Sequence, residues 1–250
     1  MLPPFWSLGF FQSSWAHRTQ DDLESVIDGY RQADMPLEGV HVDIEYMPSY
    51  WNFEINEELF PSLINFQKEL DSKHQKLVYI VDAGMAATED YSWYKKGNDM
   101  NVFIKSNQYP DDNDGNLIGC VWPGPSAFPD FYNPNATEYW GDGLQQLFGK
   151  TKYDGIWLDM NEVTVFCPGA VGECPGYVPP FIDPESEPYT PAPPSDQGEE
   201  WRTSPFNPLD PWGGSMTNQS ISLDGQHYHE DPEIMKYYTE YNLHSTYGAK

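Results

Sequence analysis

The chain has 250 residues and carries 13 Lys and Arg against 39 Asp and Glu, a formal charge of -26. That length allows one large α/β domain or two small ones, each able to bury a core. With no basic stripe, nucleic acid and anionic membranes are poor partners, and no apolar run is long enough to span a bilayer. The acidic surface suits an acidic or extracellular compartment and penalises a neutral substrate little. Nine Trp, 17 Tyr and 13 Phe serve either a large core or a flat-faced ligand, such as a sugar, stacked on rings.

The opening Met1-Leu2-Pro3-Pro4-Phe5-Trp6 has no signal-peptide pattern and reads as the interior of a longer sequence. Leu8-Gly9-Phe10-Phe11 predicts a first strand. Thr19 with Asp22 three residues on predicts a capped helix with Leu23, Val26, Ile27 and Tyr30 on one face. Residues 40–47, Val-His-Val-Asp-Ile-Glu-Tyr-Met, predict a second strand. Within it Asp43 is costly unless it has partners or faces a cavity. Alternation would put His41, Asp43 and Glu45 on one side if the strand persists.

Pro61 opens a second helix with Leu63, Phe66 and Leu70 inward. Lys76-Leu77-Val78-Tyr79-Ile80-Val81-Asp82 is near-continuously apolar, as a doubly covered parallel strand should be, and ends in Asp82. Residues 84–132 read as an insertion with no long element. Its short strands, at 101–104 and 117–121, flank an acidic turn at 111–115, and Trp122-Pro123-Gly124 follows. Asn133-Pro134 opens a third helix with Tyr139, Trp140, Leu144 and Leu147 inward. The strand Gly155-Ile156-Trp157-Leu158 then delivers Asp159. Residues 163–230 form a Pro/Gly-rich excursion, long enough to need a functional reason. A last helix is expected from Asp231-Pro232.

Strand and helix alternate as in the first half of a (β/α)8 TIM barrel, strands 1–4 with their crossover helices. Half a barrel cannot close its sheet, so the chain is expected to be a partial catalytic domain, with a small open sheet as the alternative. Asp43, Asp82 and Asp159 each sit at the carboxyl end of a predicted strand, the face where a barrel gathers its site. Three convergent acids suit a cationic, oxocarbenium-like transition state, as in glycoside hydrolysis. Trp122 and Trp157 would supply aromatic walls. The plainer explanation is that acids follow strands because loops are polar. A divalent ion on the carboxylates, with His41 and Asp43 as a ligand pair, is the physical rival. A buried, hydrogen-bonded His41 is the simpler reading, and neither a metal nor a cofactor is expected. No phosphate-binding glycine loop or serine elbow is present.

Cys167 and Cys174 lie in one Gly/Pro-rich loop and are expected to form a local disulfide, with two unpaired thiols as the plainer alternative. Asn135 and Asn218 begin glycosylation triplets. Together these lean towards the secretory pathway, with an extracellular or lysosomal/vacuolar destination.

The run Gly155-Ile156-Trp157-Leu158-Asp159-Met160-Asn161-Glu162 resembles the nucleophile signature of glycoside hydrolase family 31, the α-glucosidase family. Trp6-Ser7-Leu8-Gly9-Phe10, Asp43-Ile44-Glu45-Tyr46-Met47, Lys76–Asp82, Val121-Trp122-Pro123-Gly124 and Phe128-Pro129-Asp130 resemble it in order and at similar spacing. Tyr241-Asn242-Leu243-His244 with Tyr247-Gly248 is similar to the helix before the family's fifth barrel strand.

The resemblance implies that Asp159 is the nucleophile of a retaining reaction releasing terminal α-linked glucose, mainly α-1,4, from malto-oligosaccharides. Asp43 and Asp82 would bind sugar hydroxyls. Ile44, Ile80, Trp122, Trp157 and Met160 would line the subsite, and Glu162 would support it. It also implies that the acid/base aspartate lies after residue 250, together with the remaining catalytic half and the flanking β-domains.

Two departures stand out: Ser14-Trp15 where the family commonly has Arg-Trp, and Glu45 where it has Asp. Leaving-group protonation contributes about 10²–10⁴-fold, so the isolated 250 residues are expected to turn over negligibly. The competing reading is a catalytically incomplete carbohydrate-binding or interaction fragment. Xylosidase, glycoprotein-processing glucosidase and glucan lyase specificities share the same half-site.

Overall fold

A computed structural model of the chain describes residues 2–106, 111, 113–161, 163–166, 221, 225–231 and 235. In chain order its regular elements are β1 (Phe11–Gln12), α1 (Gln20–Gln32), β2 (Gly39–Val42), α2 (Leu63–Ser72), β3 (Lys76–Asp82), β4 (Met85–Ala86), α3 (Ser92–Asp99), β5 (Ile118–Val121), β6 (Gly124–Ala127), α4 (Pro134–Thr151) and β7 (Gly155–Asp159). The residues fall into two compact units, Met1–Asp82 with Gly141–Asp159 and Ala83–Trp140 with Met160–Lys250. No helix among the described residues is long and apolar enough to cross a membrane.

The first unit holds a four-stranded parallel sheet in the order β1-β2-β3-β7. Partners in a parallel pair point to the same side. One face therefore carries Gln12, Val40, Val42, Leu77, Tyr79 and Val81. The last five are fully buried, each contributing on the order of 1.5–3 kcal/mol. Helices cover this face: α2 lies against β3, and Tyr30 of α1 donates to Gln12 of β1 at 2.9 Å. The predicted capping box opens α1, with Thr19 and Asp22 each accepting from the other's backbone N–H.

The other face carries Phe11, Gly39 and His41 beside Val78, Ile80 and Asp82, and then Gly155, Trp157 and Asp159. Asp154 sets the last register. It forms an ion pair with Lys76 at 2.9 Å, accepts from Leu77 N–H at 3.0 Å, and donates its own N–H to the Leu77 carbonyl at 2.8 Å. Pinning β7 to β3 at their amino ends puts Asp159 beside Asp82 at their carboxyl ends.

In the second unit β4, β6 and β5 form a three-stranded antiparallel sheet. Ala83, Ile104, Leu117, Val121, Phe128, Val163, Val165 and Ile221 make its core. A buried pair, His227 Nδ1 to Asp130 Oδ1 at 2.8 Å, fastens residues 225–231 to this body.

Several expectations are corrected. The first strand starts at Phe11, because Phe5–Leu8 turn helically behind Pro4, and Leu8 is exposed. The second strand ends at Val42, so alternation does not extend to Glu45, which lies in a helical turn over Ile44–Tyr46. Residues 101–104 make an isolated bridge, Phe103 with Pro129, rather than a strand. Helix α3 lies in the stretch read as holding no long element.

Cys120 of β5 is disulfide-bonded. Cys167 and Cys174 lie outside the described residues, and the chain has three cysteines. Glu162, Asn218 and most of residues 163–230 also lie outside the description.

Candidate active site

Asp82 ends β3 and Asp159 ends β7, as direct register partners on the face turned away from the helices. Neighbouring strands in a sheet run about 4.8 Å apart. Asp43 follows the last residue of β2 and caps the next helical turn, its Oδ1 accepting from Ile44 N–H at 2.8 Å. Three adjacent strands thus present three carboxylates at one end of one sheet, the end at which barrels of this type build their sites.

The turn after β2 holds the end of β3 in place. Tyr46 donates to the Ile80 carbonyl at 2.9 Å. Asn52, itself buried, donates to the Asp82 carbonyl at 2.8 Å and accepts from Asp82 N–H at 3.2 Å. These contacts serve main-chain groups beyond the last β2–β3 pair, Val42 with Tyr79. Helix α4 supports the same segment: Lys150 pairs with Glu54 at 2.9 Å, and Gln146 donates to the Phe53 carbonyl at 3.3 Å. After Asp159 the chain turns sharply, with Met160 at φ 57°. A side-chain-bearing residue adopts that left-handed conformation at a cost of roughly 1–2 kcal/mol.

The three acids differ in environment. Asp82 is 6 % exposed, and its Oδ1 is buried with no hydrogen-bond partner. Burial, then the charges of Asp159 and Asp43, push its carboxyl up to about 8. Asp43 is half-buried and is also shifted upward, chiefly by burial. Asp159 stands exposed at the strand end. Two more buried groups adjoin Asp43. Glu45 has both carboxyl oxygens buried without partners and is raised to about 7 by burial, with Arg18 acting in the opposite sense. His17, buried with Nδ1 unpartnered, is lowered by burial, although Asp22 and Asp43 pull it upward.

Such an arrangement combines an accessible carboxylate with a buried one whose free oxygen can accept from a ligand hydroxyl. An unpaired buried polar atom costs roughly 1–3 kcal/mol, which a ligand hydrogen bond would relieve. Residues 1–250 match the family model for the glycosyl hydrolases family 31 TIM-barrel domain. The chain belongs to glycoside hydrolase family 31. This family 31 chain is 37% identical over 182 residues to Glucoamylase 1 of Candida albicans, covering 68% of the chain and 18% of that protein. It is 33% identical over 187 residues to Alpha-xylosidase 1 of Arabidopsis thaliana, covering 70% of the chain and 20% of that protein. Among solved structures it is similar to the ER glucosidase II heterodimeric complex of catalytic subunit and regulatory-subunit binding domain. There the TM-score is 0.58 with 29% identity, over 68% of this chain and 18% of that one. The family 31 chain spans about a fifth of the length of these relatives.

Within the family 31 chain, Asp43, Ile80, Asp82, Trp157 and Asp159 share one sheet face or its carboxyl end. Ile44 is buried in the turn after β2. Trp122 and Met160 belong to the second unit, where Trp122 packs edge-on to Phe166 at 4.7 Å and Met160 lies against the core. His41 is half-buried and, among the described residues, makes tilted ring contacts rather than the expected hydrogen bond. Sequence reasoning missed Asn52, Tyr46 and His17. A lone amide among Tyr50, Trp51 and Phe53 was the available signal for Asn52.

Proposed function

We propose that the chain is the nucleophile-bearing half of a retaining α-glycosidase site, which releases terminal α-linked glucose from malto-oligosaccharides, mainly at α-1,4 bonds. Asp159 attacks the anomeric carbon and forms a covalent glycosyl-enzyme, which water then resolves. Asp43 and Asp82 accept from hydroxyls of the bound sugar. Ile44, Ile80, Trp122, Trp157 and Met160 line its subsite, with Glu162 in support. The observation that carries this reading is the pairing of exposed Asp159 with buried Asp82, whose unpartnered oxygen suits a sugar hydroxyl. The general acid/base belongs to the remainder of the full-length protein, so the 250 residues alone bind sugar without appreciable turnover.

The glucoamylase and the xylosidase are nearly equally similar to the chain, so identity does not choose between glucose and xylose. Glucose is proposed on the balance of family members. The likeness to an ER enzyme, the bonded Cys120 and the triplet at exposed Asn135 support a secretory-pathway location. Proton NMR of the first product from the full-length protein tests the mechanism. Retention predicts α-glucose first, with β-glucose appearing by mutarotation. A β-glucose burst would mean inversion and remove the nucleophile role from Asp159.

A further inference from the structure

We infer that His41 is a positioning residue that fixes the indole of Trp157 as a wall of the sugar pocket; this rests on the functional reading above. His41 and Trp157 belong to β2 and β7, which β3 separates. Two strand spacings amount to about 9.6 Å, yet the two ring centroids lie 5.6 Å apart, tilted by 34°. Both side chains therefore lean across β3 towards each other.

The row that holds His41, which meets β7 two residues before Trp157, allows it. His41 pairs in register with Val78, and Val78 with Gly155, so this row has only a short side chain and none at all beside the imidazole, with the edge of Trp6 3.5 Å from where a Gly155 Cβ would stand. On its other side His41 meets Phe11 at 5.1 Å, and Phe11 meets Trp6 at 5.9 Å. The result is a continuous ladder of rings ending at Trp157.

Among the described residues the imidazole has ring contacts and no hydrogen-bond partner, and it is the only ring in contact with Trp157. Burial lowers its pKa, which keeps the ring neutral and suited to stacking. Trp157 is half-buried, so one side of the indole is backed by His41 while part of it stays accessible. An indole lacking that support would sample other rotamers and present its wall to the sugar only part of the time. Such a loss falls on binding more than on the chemical step.

The test uses the full-length protein and its His41→Leu, His41→Gln and His41→Phe variants. Each is compared with a Trp157→Phe partner, so that the emission of Trp157 is obtained by difference. His41→Leu and His41→Gln are expected to make that emission more quenchable by acrylamide. They should also raise KM for an aryl α-glucoside about three- to tenfold, with kcat within about twofold. His41→Phe, which keeps a ring, is expected to restore both. The inference is overturned if the non-aromatic variants match wild type, or if His41→Phe departs as far as His41→Leu. A wild-type protein inactive on α-glycosides would defeat the functional reading instead, and the quenching comparison would still decide the ring contact.

Discussion

Asp82, proposed to bind the sugar, sits where its carboxyl costs stability. Its carboxyl is raised from the ordinary 3.8 to about 8 by burial and two neighbouring acids. A carboxyl with a raised folded-state pKa binds its proton more tightly when folded. Between about pH 4 and pH 8 the folded state therefore holds a proton that the unfolded chain has released, and stability falls as pH rises across that window. Asp82→Asn removes this titration. It is expected to raise Tm by about 5 °C or more at pH 8 and to change it little at pH 4, as read by scanning calorimetry. The same variant should lower kcat/KM by about 10- to 100-fold, because the amide cannot reproduce the hydrogen bonds that the carboxyl is proposed to make to the sugar. Position alone pointed to Asp43, Asp82 and Asp159, because each follows an apolar run. Glu45 was placed wrongly because alternation holds only while a strand lasts, and β2 stops at Val42. Asn52 was not legible, since its role is to serve backbone groups 30 residues away.

At the scale of elements, α4 positions the acids without touching them. Gly143 lies under the Phe53 ring: a Cβ there would come within 2.4 Å of it. Phe53 adjoins Asn52, which clamps the end of β3. Gly143→Ala would gain roughly 1 kcal/mol of helix propensity, but overpacking costs about 1–3 kcal/mol and wins. Denaturant unfolding should show a net loss for Gly143→Ala. Gly141→Ala on the same helix, where a Cβ meets nothing within 4 Å, should be neutral or stabilising. Helices α1, α2 and α4 were readable because their apolar residues recur at helical spacing. Helix α3 was not, because its eight residues include Lys95, Lys96, Gly97, Asn98 and Asp99. Tertiary contacts hold it: Tyr139 donates to the Trp93 carbonyl at 2.9 Å, and Tyr94 stacks on Phe103 at 5.5 Å.

For the molecule as a whole, the bond at Cys120 is a constraint on the unfolded chain. A disulfide restricts the unfolded chain, typically by about 2–4 kcal/mol. Cys120→Ser or treatment with reductant should therefore lower the unfolding temperature of the oxidised protein by several degrees, measured with and without reductant. Spacing along the chain did not single out Cys120 as bonded, because an odd count of three cysteines leaves the pairing open. The parallel order β1-β2-β3-β7 was legible from four apolar strands separated by amphipathic helices, and it is this order that brings three acids to one end of the sheet.

The central claim is that Asp159 is the residue that bonds to the sugar. The most direct measurement treats the full-length protein with a fluorinated glucosyl donor or a cyclitol epoxide, digests it, and maps the modified peptide by mass spectrometry. A single glycosyl adduct on Asp159, prevented by excess glucose and absent from Asp159→Asn, is the predicted result. An adduct on Asp43, Asp82 or any other carboxylate, with Asp159 unmodified, would contradict it.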